Sequence, residues 1–349
     1  VKRGALHVPR KKYPAVAVSS AGWLNETNKY LPQLLNAEQL MVPKNDAIAA
    51  RCSGFVQWGA QESDSKARLR AYATSLNRPL AYIEDGFIRS YEIGLSQEPG
   101  RSIIVDDLGF YYDAQRASRL ETTLNSDWRM GFLAQWCAKS DIRFIVENGI
   151  SKYNNAPDRL PAVLASGRTR RRVLLLDQRA GDASIPGALA SDASFQQMVD
   201  HAFSQGDVEV VVKVHPDALT PGKFSAVSPS LTKYRDDPRL VVISEAVNPY
   251  VLFAAVDEVY VVASGMGFEA LMAGKPVSCF GLPYYAGWGA TTDFVTPLRP
   301  RRQRSVAEVF YVGWVMLSRY IDPGTKHLTT VRKAAQLMAA ERRSKQTQA

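Results

Sequence analysis

The sequence predicts an α/β protein of two Rossmann-like domains whose parallel sheets face an interdomain cleft. Three observations predict it. Short Val/Leu/Ile runs alternate with stretches of helical composition, the order of βαβ units. The alternation stops at a polar, proline-containing segment and then restarts. In the second half the runs are near-continuous, as in strands buried on both faces of a parallel sheet. The 349 residues, 46% of them hydrophobic, are enough for two domains with separate cores.

In chain order, Ala15–Ser19 and Phe55–Trp58 read as strands, Ser63–Ser75 as a helix and Leu80–Ile83 as a further strand. Leu120–Ile150 carries few helix breakers and predicts one or two helices closing the first half. Asn154–Arg172 holds Pro157 and Pro161 and ends in SGRTRRR, a linker composition. VLLL (173–176), a helical stretch around Phe195–Ser204 and VEVVVKVH (208–215) reopen the alternation. Arg239–Ile243, helical Pro249–Ala255 and EVYVVAS (258–264) complete it. The expected division is a first domain over residues 1–165, a second over 166–325 and a C-terminal helix or tail over 326–349.

Composition narrows the function. No apolar run approaches the roughly 20 residues of a membrane span, and no secretory signal opens the sequence. Cys52, Cys137 and Cys279 form neither a disulfide ladder nor a zinc cluster, which predicts a reducing, cytoplasmic setting. Four histidines without an H-x-x-H pattern predict no metal site. The net charge of +9, with basic clusters at Lys2–Lys12, Arg168–Arg172 and Arg299–Arg304, suits an anionic partner or simply a solvated surface. No zinc finger, RNA-recognition signature or basic zipper is present, so no nucleic-acid partner is expected.

Ligands of open parallel sheets sit beyond the carboxyl ends of the strands. Leu80–Ile83 is followed there by Glu84, Asp85 and Gly86. VLLL is followed by Asp177 and Gln178, and then by Gly181, Asp182, Ala183 and Ser184. After VVVKV come His215, Pro216 and Asp217. After EVYVVA comes SGMGFE, residues 264–269. That last segment sets a strand end against a helix start, where backbone N–H groups take a phosphate or carboxylate. Gly265 and Gly267 would let the backbone approach the anion, Ser264 would cap or bond it, and Glu269 would accept from ribose hydroxyls; an ordinary capped helix is the alternative. Lys213 and His215 leave one sheet face and make a cationic setting. Glu84 and Asp85 read either as an anchor for the glycine turn or as a general acid/base. Asp106–Gly109 reads as an Asx turn.

Seven segments then carry a resemblance. IEDGFIRS (83–90), IVDDLGFYYDA (104–114), SKYN (151–154), DQRAGDASI (177–185), KVHPD (213–217), SGMGFEALMAGKPV (264–277) and GLPYYAGWG (281–289) resemble, in order, the capsule polysaccharide Kdo transferases of the KpsC type. The resemblance spans roughly residues 80 to 295. It implies a GT-B-like, retaining β-Kdo transferase that takes Kdo from CMP-β-Kdo, without a metal cofactor, to a glycan or glycolipid acceptor in capsule or lipopolysaccharide biosynthesis. Asp182, the acid before x-S-[IV], is implied as the nucleophile of a double displacement, with Asp177 its competitor. Glu84, or else Asp85, would handle the acceptor hydroxyl. Arg89, Gln178, Ser184, Lys213, His215, Pro216, Ser264, Gly265, Gly267, Glu269 and Tyr285 are the implied substrate contacts. The basic clusters and the aromatics of PYYAGWG, expected to be exposed, would hold the protein peripherally on the inner face of an anionic membrane. Two other readings stay open: an enzyme of the same fold using a UDP-sugar, and a non-catalytic glycan- or nucleotide-binding module.

Overall fold

A computed structural model of the protein describes residues 12–94, 96–165, 169–215, 218, 220 and 222–348. Among them, strands β1 (Tyr13–Val18), β2 (Ala37–Met41), β3 (Gly54–Trp58), β4 (Leu80–Asp85) and β5 (Ser102–Asp106) precede the linker. After it come β6 (Arg171–Leu176), β7 (Val208–Lys213), β8 (Leu240–Ile243), β9 (Glu258–Val261), β10 (Val277–Cys279), β11 (Thr292–Asp293), β12 (Ser318–Asp322) and β13 (His327–Thr329). They form two sheets, ordered β13-β12-β5-β4-β3-β1-β2 and β11-β10-β9-β6-β7-β8.

The second sheet is parallel throughout, as the uniform Val/Leu runs predict. Val173–Leu176 and Val210–Val212 are buried on both faces. The first sheet corrects the expectation. Its β1–β4 are parallel, but β5 runs antiparallel to β4, β12 antiparallel to β5, and β13 antiparallel to β12. Parallel strands need a crossover, usually helical, and among the described residues no helix lies between β4 and β5. The expected boundary at residue 325 is also crossed, because β12 and β13 belong to the first sheet. The helix Val331–Gln348 follows them and is tied to the first half: Arg101 pairs with Glu341, and Arg342 donates to the Asn154 carbonyl (2.8 Å) and Asp158 (2.6 Å).

Leu120–Ile150 resolves into two helices, Arg119–Asn125 and Phe132–Glu147, broken near Gly131. Asp106 makes the expected Asx turn, its Oδ1 accepting from the N–H groups of Leu108 (2.8 Å) and Gly109 (3.2 Å). The two halves do not have wholly separate cores. One apolar cluster runs from Phe87, Tyr91 and Ile104 of the first half through Leu174, Val211 and Phe268 of the second to Trp314.

Candidate active site between the two sheets

In the second sheet β6 connects to β7 on one side and has β9 on the other, so the connections leaving β6 and β9 diverge at their carboxyl ends. Gln178 spans this gap: its Oε1 accepts from the Ala263 N–H (2.8 Å) and its Nε2 donates to Ser184 Oγ (3.1 Å). Asp177 is buried, and its two oxygens accept from the N–H groups of Val227 (3.0 Å) and His215 (3.1 Å). Both oxygens of Asp177 are therefore committed to holding the ends of β6 and β7 and the segment around residue 227 together.

Lys213 closes β7. Burial pulls its ammonium down to about 8, while Asp177 and Glu245 hold it up, and its Nζ donates to the Val214 carbonyl (2.9 Å). It remains a cation near neutral pH. His215 follows with its ring half-buried; Pro216 lies outside the described residues. Ser264 Oγ accepts from the Met266 N–H (3.3 Å) at the start of the short helix Met266–Met272. Gly265 has no atom of the described residues within 4 Å of where a Cβ would stand. Gly267 differs from expectation: a Cβ there would fall 2.1 Å from Tyr285 Oη. Its glycine serves close packing against a buried tyrosine. Tyr285 in turn donates to the Ser264 carbonyl (2.5 Å) and is 1% exposed, so it braces the turn and stacks on no sugar.

Asp182 stands further out and half-buried. Its Oδ1 accepts from the Ser184 N–H (2.8 Å) and Oγ (2.7 Å); Oδ2 makes no hydrogen bond among the described residues. The turn it opens, Ser184–Gly187, is pressed against the first half. The Ala114 N–H donates to the Gly187 carbonyl (2.7 Å), and Gln115 Nε2 to that of Pro186 (3.1 Å). These contacts bring Asp182 into the field of Tyr111, whose hydroxyl is held neutral by burial and also senses Lys152, Glu84, Asp85 and Asp182. Carboxylates from both halves thus lie within electrostatic reach of one hydroxyl.

Glu84 ends β4. Its Oε1 accepts from Trp58 Nε1 (3.1 Å) and its Oε2 from Tyr112 Oη (3.3 Å), which itself accepts from the Ala60 N–H (3.2 Å). Burial, with Asp85 alongside, pushes the Glu84 carboxyl above the usual carboxylate range, against the pull of Lys152 and Trp58. Asp85 is engaged instead with Arg89 (3.0 Å) and Lys152 (4.0 Å), and Arg89 is itself buried. The two neighbouring acids thus differ: one is held by neutral donors, the other by cations. Trp58, Tyr111, Tyr112 and Lys152 are site residues that sequence reasoning missed; Trp58 only closed the run Phe55–Trp58, and the YYDA and SKYN segments were the signal of the other three.

Glu269 is the other departure. It is 4% exposed, and both its oxygens accept from Ser151 Oγ (2.8 and 3.0 Å) across the two halves. Burial raises its carboxyl to about 7, against Ser151 and the Lys152 N–H. In this arrangement it is an interdomain tie, withdrawn from any ribose. Its proton is bound more tightly folded than unfolded, so its contribution to stability is full below pH 4.5 and is lost as pH rises through about 7. Glu269→Gln should remove that fall, on the order of 2–3 kcal/mol at pH 8, measured by denaturant unfolding across pH; an unchanged pH dependence would refute the assignment.

The remaining aromatic and basic expectations are corrected together. Tyr284, Tyr285 and Trp288 are all buried, so PYYAGWG is a packed turn with no exposed aromatic face. Of the basic run, Arg299 pairs with Glu121 (2.5 Å), Arg301 lies over the Trp288 ring (4.8 Å), and Arg304 donates to the carbonyls of Leu124 (2.7 Å) and Ser126 (2.8 Å). Arg304 thereby satisfies the C-terminal end of the helix Arg119–Asn125, and Arg299 holds the glutamate of its first turn. At the start of β6, Arg170, Arg171 and Arg172 pair with Asp207, Glu258 and Glu209. Lys2–Lys11 and Arg168 lie outside the described residues.

Two α/β sheets joined through a shared core, with a switch point at the carboxyl ends of β6 and β9, define a GT-B-like α/β architecture. The chain belongs to the capsule polysaccharide biosynthesis protein family, whose model matches residues 54–312. It is 38% identical over 280 residues to the capsule polysaccharide modification protein LipA of Neisseria meningitidis serogroup A, covering 77% of this chain and 39% of LipA. It is 32% identical over 272 residues to the lipopolysaccharide-processing protein LpsZ of Rhizobium meliloti, covering 76% and 59%. The chain thus spans about two-fifths of LipA. The solved structure of Thermosulfurimonas dismutans KpsC, beta Kdo 2,4 transferase, superposes with a TM-score of 0.83 at 32% identity, covering 95% of this chain and all of that one.

Proposed function

We propose that this chain is a retaining β-Kdo transferase module that moves Kdo from CMP-β-Kdo to a glycan or glycolipid acceptor. The Asp182 carboxylate, with one oxygen held by Ser184 on a turn seated against the first half, carries this reading, and the likeness to the KpsC β-Kdo 2,4 transferase supports it. The Asp182 carboxylate attacks the anomeric carbon of Kdo, the bond to the phosphate oxygen breaks, and CMP leaves with the electron pair. The acceptor hydroxyl gives its proton to Glu84 and attacks the same carbon, which releases Asp182 as carboxylate and restores the β configuration. Lys213, close to the donor-side strand ends, stabilises the departing phosphate. The test is titration of CMP against UDP together with product analysis. CMP binding and a Kdo-extended acceptor are expected; tight UDP binding without CMP binding would sink the reading.

A glycolipid acceptor places the reaction at the cytoplasmic face of a membrane. No helix among the described residues is long and apolar enough to cross one. The opening turns of the helix Phe132–Glu147 instead expose Phe132 (80%), Leu133 (76%) and Trp136 (64%). Exposed Arg129, Lys139 and Arg143 flank them. Interfacial helices of peripheral proteins combine such groups. Co-sedimentation with anionic but not neutral vesicles, weakened in Phe132→Ser/Trp136→Ser, is the expected outcome; equal recovery without vesicles would refute the contact.

A further inference from the structure

We propose that Trp23, stacked on Trp58, is the platform on which the acceptor's sugar ring sits; the assignment rests on the transferase reading. Three observations meet at this point. First, the first sheet has its own switch point. β1 connects to β2 on one side, while β3, on the other side of β1, connects onward to β4. The connections leaving β1 and β3 diverge, and such a crevice is where open sheets bind ligands. Second, the loop after β1 is exposed at every residue from 20 to 26 except Trp23. That ring lies flat over Trp58, centroids 4.7 Å apart and planes 3° from parallel. Third, the edge of Trp58 holds Glu84 through its indole N–H (3.1 Å). The aromatic surface and the group that receives the acceptor's proton are therefore joined through one side chain.

The chemistry suits a pyranose. Its C–H face is weakly positive and complements the negative face of an indole, while its rim hydroxyls stay in solvent or reach a carboxylate. Trp23 lies one stacked ring beyond the indole that holds Glu84, so a sugar on its outer face lies two stacking layers above that indole, on the same wall of the crevice as the base. The loop after β3 is fixed independently. Lys66 Nζ donates to the carbonyls of Gly59 (3.0 Å) and Gln61 (2.7 Å), so the Trp58 side of the crevice is built without Trp23.

A residue that only anchors the loop would be replaceable by any large apolar side chain, which sets the experiment. Trp23→Leu keeps apolar packing on Trp58 and removes the ring; Trp23→Phe keeps a smaller ring. With CMP-Kdo as donor and an octyl Kdo glycoside as acceptor, Trp23→Leu should raise the acceptor KM about tenfold. Trp23→Phe should raise it less. Donor adduct formation, read by intact-protein mass spectrometry, should stay at the wild-type value, while the thermal midpoint falls by only a few degrees for the lost stacking contact. An unchanged acceptor KM in Trp23→Leu overturns the platform, as does a loss of donor adduct equal to the loss of transfer. A wild-type protein that forms no adduct and turns over no donor removes the transferase reading itself, a result readily told apart from the other two.

Discussion

Asp182→Asn should lose Kdo transfer by about 10⁴-fold or more, and the covalent donor adduct should vanish with it. A nucleophilic carboxylate needs one oxygen held and the other directed at the reacting carbon. Asp182 meets this, with Oδ1 fixed by the N–H and hydroxyl of Ser184 and Oδ2 without a hydrogen bond among the described residues. Asp177 does not, since both of its oxygens accept from backbone donors. Asp177→Asn should instead cost about 1–3 kcal/mol of stability by leaving a buried N–H unpaired, with adduct formation retained in the folded fraction. An adduct that survives Asp182→Asn and disappears in folded Asp177→Asn would reverse the two roles.

Glu84→Gln should lower transfer by roughly 10²–10⁴-fold while the donor adduct still forms and accumulates, because only the second displacement needs a base. The pH dependence follows from the same environment. Burial and Asp85 raise the Glu84 carboxyl, so its basic form appears at higher pH than for an ordinary glutamate. Transfer should therefore fall as pH drops through that raised value. Trp58→Phe deletes the indole N–H that favours the carboxylate, which should move the acidic limb to higher pH. A limb unmoved in Trp58→Phe, or transfer unaffected in Glu84→Gln, would hand the role to Asp85.

Much of the second sheet is legible in the sequence, because parallel strands buried on both faces leave uninterrupted runs such as Val173–Leu176. Their polar carboxyl ends mark the site for the same reason. The first sheet is less legible. β2 and β13 are short, partly exposed strands without a run to betray them. The reversal at β5 depends on the absence of a helix, which is a weak signal to read forward. Partnerships are harder still. Trp58 and Tyr112 meet Glu84 across 26 and 28 residues, and Glu269 meets Ser151 across 118; no local pattern encodes such pairs. The basic run at Arg299–Arg304 reads as a solvated face because its acceptors, backbone carbonyls of residues 114–128, have no sequence signature.

The return of β12 and β13 to the first sheet bears on how the protein is made. Ser318 pairs with Ile104 and Tyr320 with Ser102, so more than 200 residues must leave the ribosome before β5 acquires its second neighbour. Until then β5 is an unpaired edge, rich in isoleucine and valine. The all-parallel sheet, local in sequence, is complete before that point, so it should fold first and serve as the nucleus onto which the earlier-made half closes. A fragment ending at the linker would keep that edge exposed, and the order of synthesis would not be the order of assembly.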